Sequence, residues 1–165
     1  YLRDFAANGG ELISNEMKFE LPLEYALLSG KIDRVEMYGG TTAVIVDLKT
    51  GKNEPSTDKA VADHPQLAAY QLAFASEAIE GVPKGLENGG AKLVVLSPSA
   101  KTRDYVDPKQ QPMTDEELEL FRQRVVGDAR GMAASVFVAR VSSHCTDPWS
   151  FGNCRIHVVP AVSAR

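Results

Sequence analysis

The chain has 165 residues, a formal charge of −4 and a pI near 5.4, with 44% hydrophobic and 24% charged residues. This suits one globular domain over residues 1–165, expected to be a piece of a longer chain since it opens on Tyr1 rather than Met. The acidic balance argues against a stand-alone, non-specific nucleic-acid binder, though it leaves room for a nuclease whose acids gather at a metal.

No apolar run nears the roughly 20 residues of a membrane span, and no signal peptide opens the chain. No membrane partner is therefore expected. Two cysteines are too few for a disulfide framework, which favours a reducing, cytoplasmic setting.

In chain order, "YLRDFAA" reads as the end of a helix stopped by "NGG". "ELISNEMKFELPLEYALL" alternates in part, as one strand or a bent pair. "SGKIDRVEMYGGTTAVIVDLKTG" is the clearest element: two strand-like runs flank Gly39-Gly40, a hairpin signal because glycines tolerate positive φ. "GKNEPSTDKAVAD" reads as a loop. "HPQLAAYQLAFASEAI" reads as a helix with Asp63 as N-cap and Pro65 in the first turn.

"EGVPKGLENGG" is expected to be a loop, "AKLVVLSP" a short apolar strand, and "RDYV" a brief edge strand. Thr114-Asp-Glu-Glu117 is a capping box ahead of a helix. On that helix Leu118, Phe121, Val125, Ala129 and Met132 form an apolar face expected to pack on the sheet. Residues 141–165 read as an irregular tail. Strands followed by helices and a further strand predict a layered α/β or α+β domain.

The chemistry concentrates in the hairpin. Asp33 lies in its first strand and Asp47 in its second, and alternation puts Asp47 and Lys49 on one face. Charges in such apolar surroundings are costly unless something organises them. One reading is an ion pair between Lys49 and one aspartate. The other is a divalent cation, since Mg²⁺ binds through one or two carboxylates and keeps several waters. Gln66 and Tyr70, four apart on one helix face, follow the Asp-x-Lys by 17 residues.

Together "GKIDRVE", "VIVDLKTG" and "HPQLAAYQLA" resemble the RecB-family nuclease domains of the PD-(D/E)XK superfamily. In that family these motifs read G-x-[IA]-D-R-[VI]-[DE], D-x-K-[TS]-G and Q-L-x-x-Y. The nearest resemblance is to the C-terminal nuclease modules of actinobacterial helicase–nucleases of the AdnA/AdnB and AddB type. It implies a restriction-endonuclease-like core, a central mixed β-sheet flanked by helices. It also implies a Mg²⁺- (or Mn²⁺-) dependent DNA exonuclease that trims single-stranded ends with a helicase partner, in double-strand-break processing and recombinational repair.

Carried over by residue, the resemblance makes Asp33, Asp47 and the Leu48 carbonyl the metal ligands. Asp33, Asp47, Lys49, Gln66 and Tyr70 become the catalytic set: Lys49 is the catalytic lysine, and Gln66 and Tyr70 support the site and the DNA. Arg34 and Glu16 match family positions and are expected to be structural, Arg34 in a plain salt bridge. A catalytically silent, DNA-binding scaffold of the same fold is the alternative, but its Asp and Lys positions would have decayed.

Family members also place a His on a helix upstream of the sheet, and this sequence begins after it. Many bind a 4Fe–4S cluster, which takes about four thiolates. Only Cys145 and Cys154 are present here, so no cluster is expected in this stretch. The set His144, Cys145, Cys154 and His157 has the spacing of no known zinc finger. A reduced remnant of a cluster-binding tail is the expectation.

Overall fold

The computed structural model describes residues 1–96 and 104–134. Contacts group the chain into one compact unit, Tyr1–Ala129, and a second, Arg130–Arg165. The tail with His144, Cys145, Cys154 and His157 lies outside the described residues.

The elements run α1 (Leu2–Ala7), β1 (Glu11–Leu23), β2 (Ala26–Tyr38), β3 (Thr42–Lys49), α2 (Asp58–Val61), α3 (Pro65–Ala75), β4 (Glu87–Val95), β5 (Lys109–Gln110) and α4 (Asp115–Ala133). The sheet order is β1-β2-β3-β4-β5. β1, β2 and β3 form an antiparallel meander, β4 lies parallel to β3, and β5 is antiparallel to β4. The expected mixed sheet with flanking helices is therefore what forms. A parallel pair needs a crossover connection, and α2 and α3 supply it between β3 and β4.

The β2–β3 turn lies at Gly39-Gly40 as expected, both with positive φ (62° and 76°). The preceding segment is a second hairpin: β1 turns at Glu24-Tyr25 into a β2 that starts at Ala26. Along α3, Leu67, Tyr70 and Ala73 meet Met17 and Phe19 of β1, Ile32 and Val35 of β2, Ile45 of β3, and Leu93 and Val95 of β4. Burying each such large side chain contributes about 1.5–3 kcal/mol.

Several expectations are corrected. The polar loop before α3 contains a one-turn helix, α2, capped by the Thr57 hydroxyl. The N-cap of α3 is His64, not Asp63, and its side chain makes no capping bond. Pro65 at the first helical position puts the N-cap at His64, one residue beyond Asp63.

β4 begins at Glu87, so "NGG" belongs to the strand rather than a loop. A Cβ at Gly90 (φ 87°) would meet the Gln110 carbonyl at 2.4 Å, so glycine there permits the close approach of β5. Of "RDYV", the described part contributes a single bridge, Val106 to Val95, and the edge strand forms at Lys109–Gln110. The capping box forms: the Glu117 N–H donates to Thr114 Oγ1 and the Thr114 N–H to Glu117 Oε2. Among the described residues, the apolar face of α4 joins the core at its start, where Leu118 and Phe121 meet Leu21 and Leu72.

A buried polar network pins α3 in place. Gln71 donates to Gln110 Oε1 and the Gln111 carbonyl, and accepts from Asn88 Nδ2 and the Met113 N–H. Gln110 in turn donates to the carbonyls of Val61, Ala62 and His64. A buried amide whose donors and acceptors are all used is cheap to bury and expensive to disturb.

Candidate active site

The site forms where β2 and β3 part. Their pairing runs from Tyr38↔Thr42 to Arg34↔Val46 and then stops. On the other side, β1–β2 pairing skips from Asn15↔Arg34 to Met17↔Ile32. Glu16 sits in that gap with φ 57°, a backbone conformation that costs a non-glycine residue energy. Both Ile32 and Val35 join the core although they are three apart. Strict alternation forbids this, so the strand irregularity at Asp33 re-aims the chain. Alternation read from the sequence alone has no means of locating such a break.

The Asp33 carboxylate bridges the gap. Its Oδ2 accepts the Leu48 N–H at 2.8 Å, standing in for a ladder bond where the strands diverge. The Leu48 side chain is 44% exposed, and its neighbours Asp47 and Lys49 point the other way.

Asp47 is only 4% exposed. Its Oδ1 accepts Gln66 Nε2 at 2.9 Å and lies 3.2 Å from the Tyr70 hydroxyl. Gln66 Nε2 also donates to the Tyr70 oxygen at 2.7 Å, and Lys49 Nζ donates to Gln66 Oε1 at 3.1 Å. The single Tyr70 proton has a second acceptor in the Lys31 carbonyl, also at 3.2 Å. Burial, then the Asp47 charge, pushes the Tyr70 hydroxyl up to about 12, so it acts as a neutral donor.

Asp47 Oδ2 is left differently. The Lys49 ammonium lies 2.7 Å away, but off the angle of a hydrogen bond, and no other donor reaches this buried oxygen. Counting Asp33, Asp47 and Lys49, two negative charges face one positive. A buried carboxylate oxygen without a directed donor, in a cluster one charge short, fits a divalent cation. No group of three or more His, Cys, Asp or Glu side chains is gathered among the described residues. The donor set is thus a pair of carboxylates, which suits an ion that keeps much of its water.

Asp33, Asp47, Lys49, Gln66 and Tyr70 therefore meet at one end of the sheet. Glu16 lies at the same break but is largely exposed and ion-paired to Lys31. Arg34 turns to the reverse face. There its Nε lies 2.6 Å from Glu36 Oε1, and its guanidinium sits 4.6 Å from the Phe5 ring centre.

Sequence reading missed the rest of that reverse-face cluster. Glu36 is fully buried, and its carboxylate takes the Tyr1 hydroxyl at 2.6 Å, the Tyr38 hydroxyl at 2.9 Å and the Lys92 ammonium at 3.2 Å. Burial alone would raise its pKa, but those partners together hold it below the ordinary carboxylate value. The signal was present in Arg34-x-Glu36, a same-face acid–base pair in a strand, like Asp47-x-Lys49.

A mixed sheet carrying two acids and a lysine where its strands diverge, with a helix delivering Gln and Tyr, defines a restriction-endonuclease-like α/β protein. The family model described as PD-(D/E)XK nuclease superfamily matches residues 1–156, and the chain belongs to that superfamily, whose members are nucleases. No curated protein matches the chain. Among solved structures it is similar to one described as "Crystal structure of SSO0001", at 15% identity and a TM-score of 0.46, over 83% of this chain and 58% of that one. The chain thus spans little more than half the length of that structure.

Proposed function

We propose that the chain is a divalent-metal-dependent deoxyribonuclease domain of the RecB type that hydrolyses phosphodiester bonds. The observation that carries this reading is Asp47 Oδ2, buried and without a directed donor beside Lys49. Asp33, Asp47 and the Leu48 carbonyl would hold Mg²⁺ or Mn²⁺. When bound, such an ion offsets phosphate charge and makes the attacking water more acidic.

The chain's own residues do the rest. Gln66 and Tyr70 occupy Asp47 Oδ1, which fixes the carboxylate with Oδ2 turned toward Lys49. Gln66 Oε1 anchors Lys49 Nζ, so the ammonium is held in place beside the acids to meet the charge that develops on the phosphoryl group. Asp33 is steadied by the Leu48 N–H.

The finer reading is an exonuclease acting on single-stranded DNA ends in the cytoplasm. It works with a helicase domain or subunit in double-strand-break processing, as in the AdnA/AdnB and AddB type. The motif resemblance supports this, as does the intact Asp33, Asp47, Lys49, Gln66 and Tyr70 set, which a silent DNA-binding scaffold would have no reason to keep.

The test pairs linear with circular single-stranded DNA in Mg²⁺ or Mn²⁺. Loss of the linear substrate alone, abolished by Asp47→Ala, is the expected result. Cleavage unchanged in Asp47→Ala overturns the assignment. DNA binding with neither cleavage nor Mn²⁺ binding in the unaltered chain favours the scaffold.

A further inference from the structure

Asp33 is the one residue of β2 with no ladder partner on either neighbouring strand among the described residues. Backbone pairing therefore does not set its orientation. What flanks it does: Ile32 is locked in the core at 0% exposure, and Arg34 is the last residue at which β1, β2 and β3 are all in register. The Arg34 side chain leaves the sheet on the face away from the site. There it is fixed twice, by Glu36 Oε1 at 2.6 Å and by the Phe5 ring at 4.6 Å. Glu36 is itself immobilised by Tyr1, Tyr38 and Lys92.

We propose that Arg34 is a positioning residue: anchored on the reverse face by Glu36 and Phe5, it sets the point at which β2 leaves β3 and so aims the Asp33 carboxylate. The physical reason lies in the planar guanidinium. One N–H of a planar guanidinium on a carboxylate, combined with its seat over a ring, fixes the side chain in direction as well as in place, which an ammonium on a flexible stem does not. An unpaired strand residue next to such an anchor inherits its orientation. The Asp33–Leu48 bond is the visible product, because it forms only if β2 diverges at this residue and by this amount. Groups that orient a metal ligand from behind typically change metal affinity by 10–100-fold when removed.

This inference rests on the metal-site reading, and two readouts separate the failure of one from the failure of the other. The first is Mn²⁺ affinity, measured by electron paramagnetic resonance on the chain and on Arg34→Lys, Phe5→Leu, Asp33→Asn and Asp47→Asn. The second needs no metal: hydrogen exchange of the Leu48 amide, compared with the Val35 and Ile45 amides inside the paired region.

Arg34→Lys and Phe5→Leu are expected to bind Mn²⁺ about tenfold or more weakly. They are also expected to speed Leu48 exchange while Val35 and Ile45 stay protected. Unchanged affinity and unchanged Leu48 exchange overturn the proposal. So does a loosening of all three amides together, or loss of the fold, which would make Arg34 merely structural. If Asp33→Asn and Asp47→Asn bind Mn²⁺ as tightly as the unaltered chain, the metal-site reading falls, and the Leu48 amide still decides what Arg34 does.

Discussion

Two charged clusters occupy opposite faces of the same strands, and they are finished differently. On the reverse face Glu36 is surrounded: Arg34 and Tyr1 share one oxygen, and Tyr38 and Lys92 the other. On the α3 face Asp47 has one saturated oxygen and one that no directed donor reaches, in a group with two acids and a single lysine. The chemistry of the residues is nearly the same, an acid and a base two apart in a strand. What differs is completeness. A closed buried network rigidifies a core, whereas one left open is costly unless a ligand completes it. Of the two, only the open cluster leaves a buried oxygen that a ligand would complete.

The sharpest way to break this contrast is to remove each acid in turn. Asp47→Asn keeps the shape and the acceptor for Gln66 and Tyr70, but loses the charge that would hold a cation. Cleavage is expected to fall by at least about 10²–10³-fold, the scale of losing one electrostatic group at a reacting centre. Stability should fall by less than for Glu36→Ala, since Lys49 loses its charge partner but keeps the Gln66 acceptor and is a quarter exposed. Single-turnover cleavage and urea unfolding of the same preparation check both halves. A large loss of stability here would mean that the cluster is structural after all.

Glu36→Ala should do the reverse. It strands Lys92, 5% exposed, and frees Arg34 on the closed side. Breaking a buried pair by deleting one partner costs about 3–5 kcal/mol. Urea midpoints at neutral pH measure it. A cost under about 1 kcal/mol would show that this network is no more than surface pairing.

The legible part of this molecule was the part whose signals are local. Gly39-Gly40 announced a turn, Thr114 and Glu117 a capping box, and the spacing of Asp33, Asp47, Lys49, Gln66 and Tyr70 a cluster at the end of a hairpin. The illegible part depends on partners distant in sequence. "NGG" before β4 looks like a loop until Gln110 is seen pressing on Gly90. The break at Asp33 lies opposite Glu16, on another strand. The apolar stripe of α4 predicted a packed helix, yet among the described residues it is the first turns that find Leu21 and Leu72. Nothing local tells Arg34-x-Glu36 from Asp47-x-Lys49. The distinction lies in Tyr1, Tyr38 and Lys92 closing one pair, while the other stays open.

A finer probe of the open cluster is Tyr70→Phe. The ring keeps its edge contact with Phe19, at 5.9 Å between centroids, and only the hydroxyl is lost. Stability should fall by about 1 kcal/mol, the net worth of one hydrogen bond. Cleavage should fall by less than tenfold, because Gln66 still holds Asp47 Oδ1. Thermal unfolding and initial rates check the two. A loss as large as that of Asp47→Asn would give the hydroxyl a direct part in the chemistry.

The smallest expected effect tests whether the closed cluster is closed by charge. The Glu36 pKa is depressed in the fold: burial works against ionisation, but the donated bonds of Tyr1 and Arg34, the Lys92 charge and the Tyr38 bond outweigh it. A carboxylate with a lowered folded pKa contributes stability that is complete above its ordinary value of 4.5 and is lost as pH falls below that through the folded value. Glu36→Gln has no such proton to take up. The stability difference between the chain and Glu36→Gln should therefore be largest near neutrality and shrink steadily in acid below pH 4.5, with urea midpoints at a series of pH values as the measure. In acid both proteins set a neutral side chain against Arg34 and Lys92, so their midpoints should converge. A gap that stays constant with pH would mean that shape and hydrogen bonding, rather than the negative charge, hold this face together.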